Sequence, residues 1–360
     1  MTVGILPVQD QSERVTVRHG RFRVERGYDP SVRVPDFMLK CVGFVGEVTH
    51  RDSSGRPQGD LHATGFFVSV DTYDPEFLLA PAVYFITAKH VVDDLAGRKI
   101  YFLVNNQSGG TITIENALAD QWWFHPNDKS ADVAVVQVWP QPTADIITVA
   151  IQQLATEQLI EKMDIGIGDA VYSTGLFTPA PGTARNVPIV RVGNIAMMPG
   201  EQIQTELGFA DVYLVEARSL GGVSGAPVFV RPTIDFKVTD VRGKQRNAFA
   251  AGLGFMLIGL MHGHWDIRES EMNKAFFDHD RKRGVNMGIA MVVPANKILE
   301  TIYQPELLTM RKEAEKKDMR RMVPGMDSAK LHKQESPTFT KDNFETALKK
   351  ATRKVAPPKS

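Results

Sequence analysis

One short stretch of the chain places a serine among glycines. The sequence SLGGVSGAPVFV, residues 219–230, carries Gly222 and Gly225 on either side of Ser224 and then continues into an apolar segment. Glycine adopts positive φ angles readily and lets another group approach the backbone closely. A serine hydroxyl held in such a turn is a candidate nucleophile, whereas the same pattern in an ordinary strand-entry turn has only a structural role.

Two further residues could activate that serine. His90 lies in YFITAKHVVDD, where a predicted strand meets a turn, and Asp132 lies in DKSADVAVVQV, directly before four apolar residues. A serine hydroxyl becomes an effective nucleophile when a base accepts its proton and a third group orients the base. A half-buried carboxylate needs a hydrogen-bond partner, and an imidazole N–H provides one. The order His90, Asp132, Ser224 therefore predicts nucleophilic catalysis.

Each of these residues also has a plain structural interpretation. A single histidine is often a core residue, and an aspartate before a strand often caps it. Asp128, Asp93 and Asp94 are alternative carboxylates. Asp128 lies in a polar loop, and the other two follow the histidine too closely to orient its ring. We therefore favour Asp132.

Short apolar segments rich in β-branched and aromatic residues surround the three candidates. A first series contains FMLKCVGFVGEV, ATGFFVSV, VYFITAKHVV, KIYFLV and ADVAVVQVW. A second series contains GDAVYSTGL, VPIVRVGNIAMM, DVYLVEARS, APVFV, FMLIGLMHG and VNMGIAMVV. Successive strands without helices between them predict an all-β sandwich or barrel rather than repeated strand–helix–strand units. His90 and Asp132 fall in the first series and Ser224 in the second, so they can meet only between the two.

Changes in composition and residue pattern along the chain predict five parts. They are an N-terminal extension over 1–37, a first β-barrel over 38–143, a helical connector over 144–164, a second β-barrel with a closing helix over 165–304, and a basic tail, partly helical or disordered, over 305–360. Within these parts, RVTVRHGRFRVERG predicts a strand pair around Gly20, and residues 231–250 predict a surface loop or hairpin.

The composition argues against several functional classes. Lys and Arg together number 42, as do Asp and Glu, so no overall charge favours nucleic acid or a charged membrane surface. The single cysteine, Cys41, excludes an internal disulfide and a cysteine-rich metal site. We find no signal-peptide pattern and no apolar run long enough to span a membrane, and we expect a cytoplasmic location.

Three motifs resemble those of the trypsin/chymotrypsin-like serine proteases. TAKH is similar to the family's histidine motif, DVAVV to its aspartate motif and GVSGAP to its Gly-x-Ser-Gly-x-Pro nucleophile motif, and the resemblance covers about residues 38–302. It implies two six-stranded Greek-key β-barrels with the active site in the cleft between them. It also implies a His90–Asp132–Ser224 triad, an oxyanion hole formed by the N–H groups of Gly222 and Ser224, a protein or peptide substrate, and neither cofactor nor metal.

The chain departs from the family at the position before the nucleophile. Many members have an aspartate there, which pairs with a freed N-terminus after activation, whereas this chain has Val223 and no evident activation site. By resemblance, Arg218 lies at the base of the substrate pocket and GLMHGH, with His262 and His264, lines it. These three residues could favour an acidic side chain before the scissile bond, and the alternative is that Arg218 points outwards and holds a loop.

Other functions remain open at this stage. The chain could be a catalytically silent binding or scaffold protein with a protease-like fold, or an esterase that uses the same triad. An α/β-hydrolase is excluded because its Gly-x-Ser-x-Gly motif and its Ser, Asp, His order are both absent. A regulatory protein that contacts the tail over 305–360 is a further expectation.

Overall fold

The computed structural model describes residues 17–18, 21–22, 34–71, 81–115, 122–177, 179–205, 208–217, 222–231, 235–239, 245–249, 254–268 and 284–322. The chain divides into two compact units. The first contains Met1–Ser69 and Val83–Tyr303, and the second contains Val70–Ala82 and Gln304–Ser360. All the candidate catalytic residues lie in the first unit.

The described residues form a succession of short strands with a few short helices. The strands are β1 Val17–Arg18, β2 Arg21–Phe22, β3 Val42–Glu47, β4 His50–Arg51, β5 Pro57–Gln58, β6 Leu61–Val70, β7 Ala82–Thr87, β8 Ile100–Asn105, β9 Thr111–Glu115, β10 Trp123–Phe124, β11 Ala134–Val138, β12 Val149–Ala150, β13 Ala170–Gly175, β14 Ile189–Met197, β15 Ile203–Thr205, β16 Gly208–Ala210, β17 Tyr213–Glu216, β18 Pro227–Val230, β19 Asp235–Thr239, β20 Gln245–Phe249, β21 Met256–Arg268 and β22 Gly284–Pro294. The helices are α1 Asp36–Lys40, α2 Lys89–Asp94, α3 Glu157–Lys162, α4 Ala295–Ile302 and α5 Pro305–Met322.

The strands form two main groups, which confirms the all-β class. The first group is an eight-stranded sheet in the order β10-β11-β7-β6-β3-β8-β9, with β12 beside β6. Six of its strands are five residues or longer, and the two-residue strands β10 and β12 bring the sheet to eight. The second group is a closed barrel of six strands in the order β13-β14-β17-β22-β21-β18.

Aromatic side chains fill the core of the first sheet. Phe66, Phe67, Phe85 and Phe102 are fully buried. Phe85 stacks on Phe102 with ring centroids 3.9 Å apart and meets Phe67 edge-on at 5.0 Å. These rings come from β6, β7 and β8, the strands that the aromatic and β-branched segments of the sequence predict. The same packing holds the end of β7, where His90 follows.

Aliphatic side chains fill the core of the barrel. Val171, Ile195, Val215, Val228 and Ile258 are all almost completely buried within one cluster. Each comes from a different barrel strand, so the cluster joins β13, β14, β17, β18 and β21. The turn that carries Ser224 leads directly into β18, which this core holds in place.

The predicted helical connector over 144–164 is helical only in part. Val149 and Ala150 form β12, which pairs in parallel with Val68 and Ser69 of β6. A 3₁₀ turn, Ile151–Gln153, follows, and helix α3 begins after Thr156, whose hydroxyl accepts a hydrogen bond from the amide of Leu159. The apolar spacing fits a helix, but the sheet offers Val149 a backbone partner and complete burial. Tertiary pairing therefore overrides the local pattern.

The smaller predictions have definite outcomes. The strand pair around Gly20 is confirmed, because Val17 lies opposite Phe22 in an antiparallel pair. The hairpin within 231–250 is confirmed as β19 paired with β20. Helix α4 closes the predicted second half, and α5 opens the tail, whose residues 323–360 lie outside the described residues. The five-part division of the chain stays a prediction. In the described part of the chain, no helix combines the length and the apolarity that crossing a membrane requires.

Candidate active site

The pairing of two strands brings His90 beside Asp132. Strand β7 ends at Thr87, which lies opposite Ala134 at the start of the antiparallel strand β11. His90 follows β7 as the second residue of α2, and Asp132 lies two residues before Ala134, the first residue of β11. Because neighbouring antiparallel strands begin and end at a common edge, the two side chains meet there.

Asp132 contacts His90 through both of its carboxylate oxygens. The backbone N–H of His90 donates to Oδ1 at 2.8 Å, and Nδ1 of the imidazole lies 2.7 Å from Oδ2. An ionised carboxylate accepts hydrogen bonds but cannot donate them. Nδ1 of His90 therefore carries the hydrogen, and Nε2 of a neutral His90 keeps its lone pair. The imidazole is therefore held in the tautomer that a general base requires.

The Asp132 side chain is buried, with 1% of the residue exposed. Burial acts to raise the pKa of this carboxyl group, but the hydrogen bonds from His262 and His90 outweigh burial and hold the pKa well below its usual range. Asp132 is therefore ionised at neutral pH despite its burial.

A second imidazole shares the same carboxylate. Nδ1 of His262 forms a hydrogen bond with Oδ2 of Asp132, and the His90 and His262 rings meet edge-on with centroids 5.4 Å apart. Strand β21 brings His262 there, because the amide of Gly225 donates to the carbonyl of Met261 at 2.8 Å, one residue before His262. From the sequence alone, we placed His262 in the substrate pocket and missed this contact. The available signal is its position on the strand that pairs with β18.

The turn that carries Ser224 packs against the segment that carries His90. Gly222 and Gly225 have φ angles of +93° and +79°, which other residues rarely adopt. A β-carbon on Gly225 would lie 2.2 Å from the carbonyl oxygen of Thr64, 2.3 Å from Oγ1 of Thr87 and 2.9 Å from the amide nitrogen of Ala88. Only glycine fits in this contact. Position 225 therefore requires glycine for a steric reason as well as for its positive φ angle.

Thr64, which is not among the residues predicted from the sequence, joins the turn to the first sheet. Its amide donates to the carbonyl of Ser224 at 3.0 Å, and its hydroxyl donates to the carbonyl of Gly222 at 2.7 Å. The same hydroxyl accepts from the amide of Leu176 at 2.8 Å, and its own carbonyl accepts from Oγ1 of Thr87 at 2.8 Å. A buried threonine on β6 thus holds Ser224 and the end of β7 through one network. No sequence motif marks it.

The alternative carboxylates have other partners. Asp128 lies 2.7 Å from Nζ of Lys297 and accepts two hydrogen bonds from Ser130. Burial acts to raise the pKa of Asp128, but these partners lower it to about 2. Asp93 forms an ion pair with Lys89. Of the weighed carboxylates, Asp132 is the one whose hydrogen bond to His90 is observed.

The remaining predicted pocket residues are only partly placed. Arg218 lies outside the described residues, and His264 belongs to β21 but its side chain lies outside them as well. The acidic-substrate pocket stays a prediction. The oxyanion hole and the catalytic roles of His90, Asp132 and Ser224 also stay predictions.

The same three side chains have the spacing of metal ligands. One donor atom each from His90, Asp132 and His262 lies within 4.8 Å of the others. Their arrangement fits a hydrogen-bond network better, because both Nδ1 atoms lie at hydrogen-bond distance from one carboxylate oxygen. We therefore interpret the cluster as two imidazole donors on one acceptor.

Neither the known protein families nor the curated proteins contain a match. Among solved structures, the chain is similar to the MamO protease domain from Magnetospirillum magneticum in its apo form, with 14% identity and a TM-score of 0.42, over 74% of this chain and 98% of that one. It is also similar to the active form of the Rv3671c protease from M. tuberculosis, with 16% identity and a TM-score of 0.38, over 76% and 83% of the two chains. A third similar structure is Deg5, with 13% identity and a TM-score of 0.37, over 73% and 88% of the two chains.

Proposed function

We propose that the protein is a serine endopeptidase that hydrolyses peptide bonds of proteins through an acyl-enzyme. The observation that supports this most strongly is the pair of hydrogen bonds between His90 and Asp132. They orient an imidazole with a basic Nε2 on the segment that packs against the turn of Ser224. The three motifs and their order supply the second argument.

In the proposed first half of the reaction, Nε2 of His90 accepts the proton of the Ser224 hydroxyl while Oγ attacks the carbonyl carbon of the scissile bond. The resulting tetrahedral intermediate collapses when the imidazolium returns the proton to the leaving amine nitrogen and the C–N bond breaks. Asp132 remains ionised throughout and stabilises the imidazolium, because its hydrogen bonds keep its pKa low.

In the second half, water replaces the amine. His90 accepts a proton from the water as its oxygen attacks the acyl carbon, and then returns the proton to Oγ of Ser224 as the ester bond breaks. The carboxylic acid product leaves and the serine hydroxyl is restored. All proton transfers pass through one imidazole, so the fixed orientation of His90 matters in both halves.

The backbone around Ser224 supplies the proposed oxyanion hole. The N–H groups of Gly222 and Ser224 would donate to the oxygen that becomes negatively charged in the tetrahedral intermediate. Gly222 has a φ of +93°, a conformation that glycine adopts without strain, and Thr64 anchors its carbonyl. A single donor of this kind is worth about 2.7–4 kcal/mol of the activation free energy.

A fluorophosphonate probe tests the proposal directly, because it forms a covalent bond only with an activated serine. We expect it to label the full-length wild-type chain and not Ser224→Ala. The matched control is Ser130→Ala, because Ser130 is a described serine whose hydroxyl bonds Asp128 instead; this variant should be labelled like wild type. Labelling that persists in Ser224→Ala, or that is absent from folded wild type, would overturn the proposal.

Substrate turnover then separates the endopeptidase from its alternatives. Mapping of new protein N-termini after incubation of a proteome with wild type or with Ser224→Ala should show cleavages that require Ser224. A probe-reactive chain that hydrolyses small esters but produces no new N-termini is an esterase. A folded chain that is inactive in both assays and unlabelled is a protease-like binding protein.

A further inference from the structure

Three donors surround the buried carboxylate of Asp132. Oδ1 accepts the backbone N–H of His90, and Oδ2 lies at hydrogen-bond distance from Nδ1 of both His90 and His262. No other charged or titratable side chain contacts this carboxylate among the residues that the structure describes. The negative charge that orients His90 is therefore divided between two imidazoles.

The chemistry of the groups determines where the hydrogens lie. An ionised carboxylate offers only lone pairs, so each neutral imidazole must present an Nδ1–H to Oδ2. His262 is itself buried, with 9% of the residue exposed. A buried imidazole bonded to a buried carboxylate acts as a fixed donor, and its loss would leave Asp132 with an incompletely satisfied charge.

We propose that His262 is a positioning residue of the active site, which fixes the Asp132 carboxylate against His90 and moderates the basicity of that histidine. This inference rests on the proposed function, because it assigns His90 as the general base. His262 donates to Oδ2 and reduces the charge density that this oxygen offers to the Nδ1–H of His90. It thereby weakens the stabilisation of the His90 imidazolium and favours the neutral base.

Charged residues near His90 and Asp132 in the sequence form ion pairs with other residues. Lys89, next to His90 on α2, forms an ion pair with Asp93 on the same helix. Asp128, on the loop that leads to Asp132, forms one with Lys297 of α4. Neither ion pair includes Asp132. Among the described residues of β21, His262 is the one that forms a hydrogen bond with the Asp132 carboxylate.

Two substitutions separate the hydrogen bond from the space that the ring fills. His262→Leu keeps an apolar side chain of similar bulk but removes the donor. His262→Asn keeps a donor, because its amide nitrogen is one bond beyond Cγ, as Nδ1 is. We expect His262→Leu to lower kcat/KM for a peptide substrate by about 10–100-fold, the effect of one lost hydrogen bond to a charged group. His262→Asn should recover most of that loss.

The pH dependence of the rate distinguishes an effect of His262 on the basicity of His90 from a purely structural effect. When the His262 donor is lost, the full carboxylate charge acts on His90 and stabilises its imidazolium. The acid limb of kcat/KM, or of the rate of fluorophosphonate labelling, should therefore move to higher pH in His262→Leu and remain near its wild-type position in His262→Asn. A loss of rate with an unmoved acid limb in His262→Leu would overturn the inference.

Proton NMR tests the arrangement without using activity. The wild-type chain should show two low-field imidazole N–H resonances, of which one is absent from His90→Ala and the other from His262→Asn. A single resonance that is insensitive to His262→Asn would overturn the inference, even if His262→Leu does not fold. If both resonances are assigned in a chain that the fluorophosphonate probe does not label, the shared Asp132 carboxylate is supported and the proposed function is overturned.

Discussion

The backbone amide of Thr64 donates a hydrogen bond of 3.0 Å to the carbonyl oxygen of Ser224. This bond joins strand β6 of the first sheet to the turn that precedes strand β18 of the barrel. Thr87, at the end of β7, bonds to the carbonyl of the same threonine. The serine and the segment that carries His90 are therefore held by a common residue, and several consequences of this arrangement can be measured.

Substitution of Gly225 by alanine should disturb the turn strongly. The residue has a φ of +79°, and a β-carbon would lie 2.2 Å from the backbone oxygen of Thr64. The matched control is Gly55→Ala, since Gly55 has a φ of +81° with nothing within 4 Å of the added atom. We expect about 1–2 kcal/mol of destabilisation for the control. Gly225→Ala should lower the free energy of unfolding by about 1–3 kcal/mol more than the control does, as measured by chemical denaturation. It should also react slowly with a fluorophosphonate. Equal effects of the two substitutions would contradict the close contact.

Removal of the Thr64 hydroxyl should weaken the same turn. Thr64→Val preserves shape but leaves the carbonyl of Gly222 and the amide of Leu176 without this partner. We expect a decrease of about 1–3 kcal/mol in the free energy of unfolding, together with slower probe labelling. Thr64→Ser retains the hydroxyl and serves as the control. If the serine variant labels as slowly as the valine variant, the methyl group and not the hydroxyl positions the turn.

Replacement of Asp132 by asparagine should remove activity and change the acid stability of the protein. An amide cannot satisfy two Nδ1–H donors as a carboxylate does, so His90 loses its favoured tautomer and kcat should fall by about 10⁴-fold. Turnover of a peptide substrate at neutral pH measures this loss, with Asp128→Asn as the matched control that should retain activity. Comparable losses in the two variants would contradict the assignment of Asp132.

The stability of the wild type should also depend on Asp132 in acid. Its folded-state pKa lies below the ordinary value of about 3.9, so unfolding takes up a proton below that pH. The contribution of Asp132 is fully present above pH ~4 and is lost as the pH falls towards the folded-state pKa. Denaturation curves between pH 2 and pH 5, a window set around that ordinary value, should be less steeply pH-dependent in Asp132→Asn than in wild type. An unchanged slope would show that the carboxyl group is not stabilised in its ionised form.

A chelator should leave the protein active. His90, Asp132 and His262 have donor atoms within 4.8 Å of one another, but hydrogen bonds account for their contacts. We expect probe labelling before and after prolonged dialysis against EDTA to be equal. A loss of labelling that added Zn²⁺ restores would identify the cluster as a metal site, whereas a loss that no metal restores would indicate unfolding, which circular dichroism detects.

Much of the architecture could be predicted from local sequence patterns. Short β-branched and aromatic segments without intervening helices indicated an all-β chain in two groups, because alternating burial and β propensity are properties of each segment. The glycines around Ser224 indicated a turn that needs positive φ, and the structure places Gly222 and Gly225 there with such angles. The carboxylate before VAVV was expected beside a histidine, and Asp132 does bond to His90.

Tertiary structure alone decided the rest. The helix expected from ADIITVAIQQLATEQLIEKM is interrupted, because strand β6 provides Val149 with a backbone partner that no local pattern reveals. The roles of Thr64 and His262 became visible only in the folded chain, since Gly222, to which Thr64 bonds, and Asp132, to which His262 bonds, each lie more than one hundred residues away in sequence. Residue types and local spacing determine strands, turns and candidate chemistry. Which side chains share a carboxylate depends on long-range strand register, which only the folded protein contains.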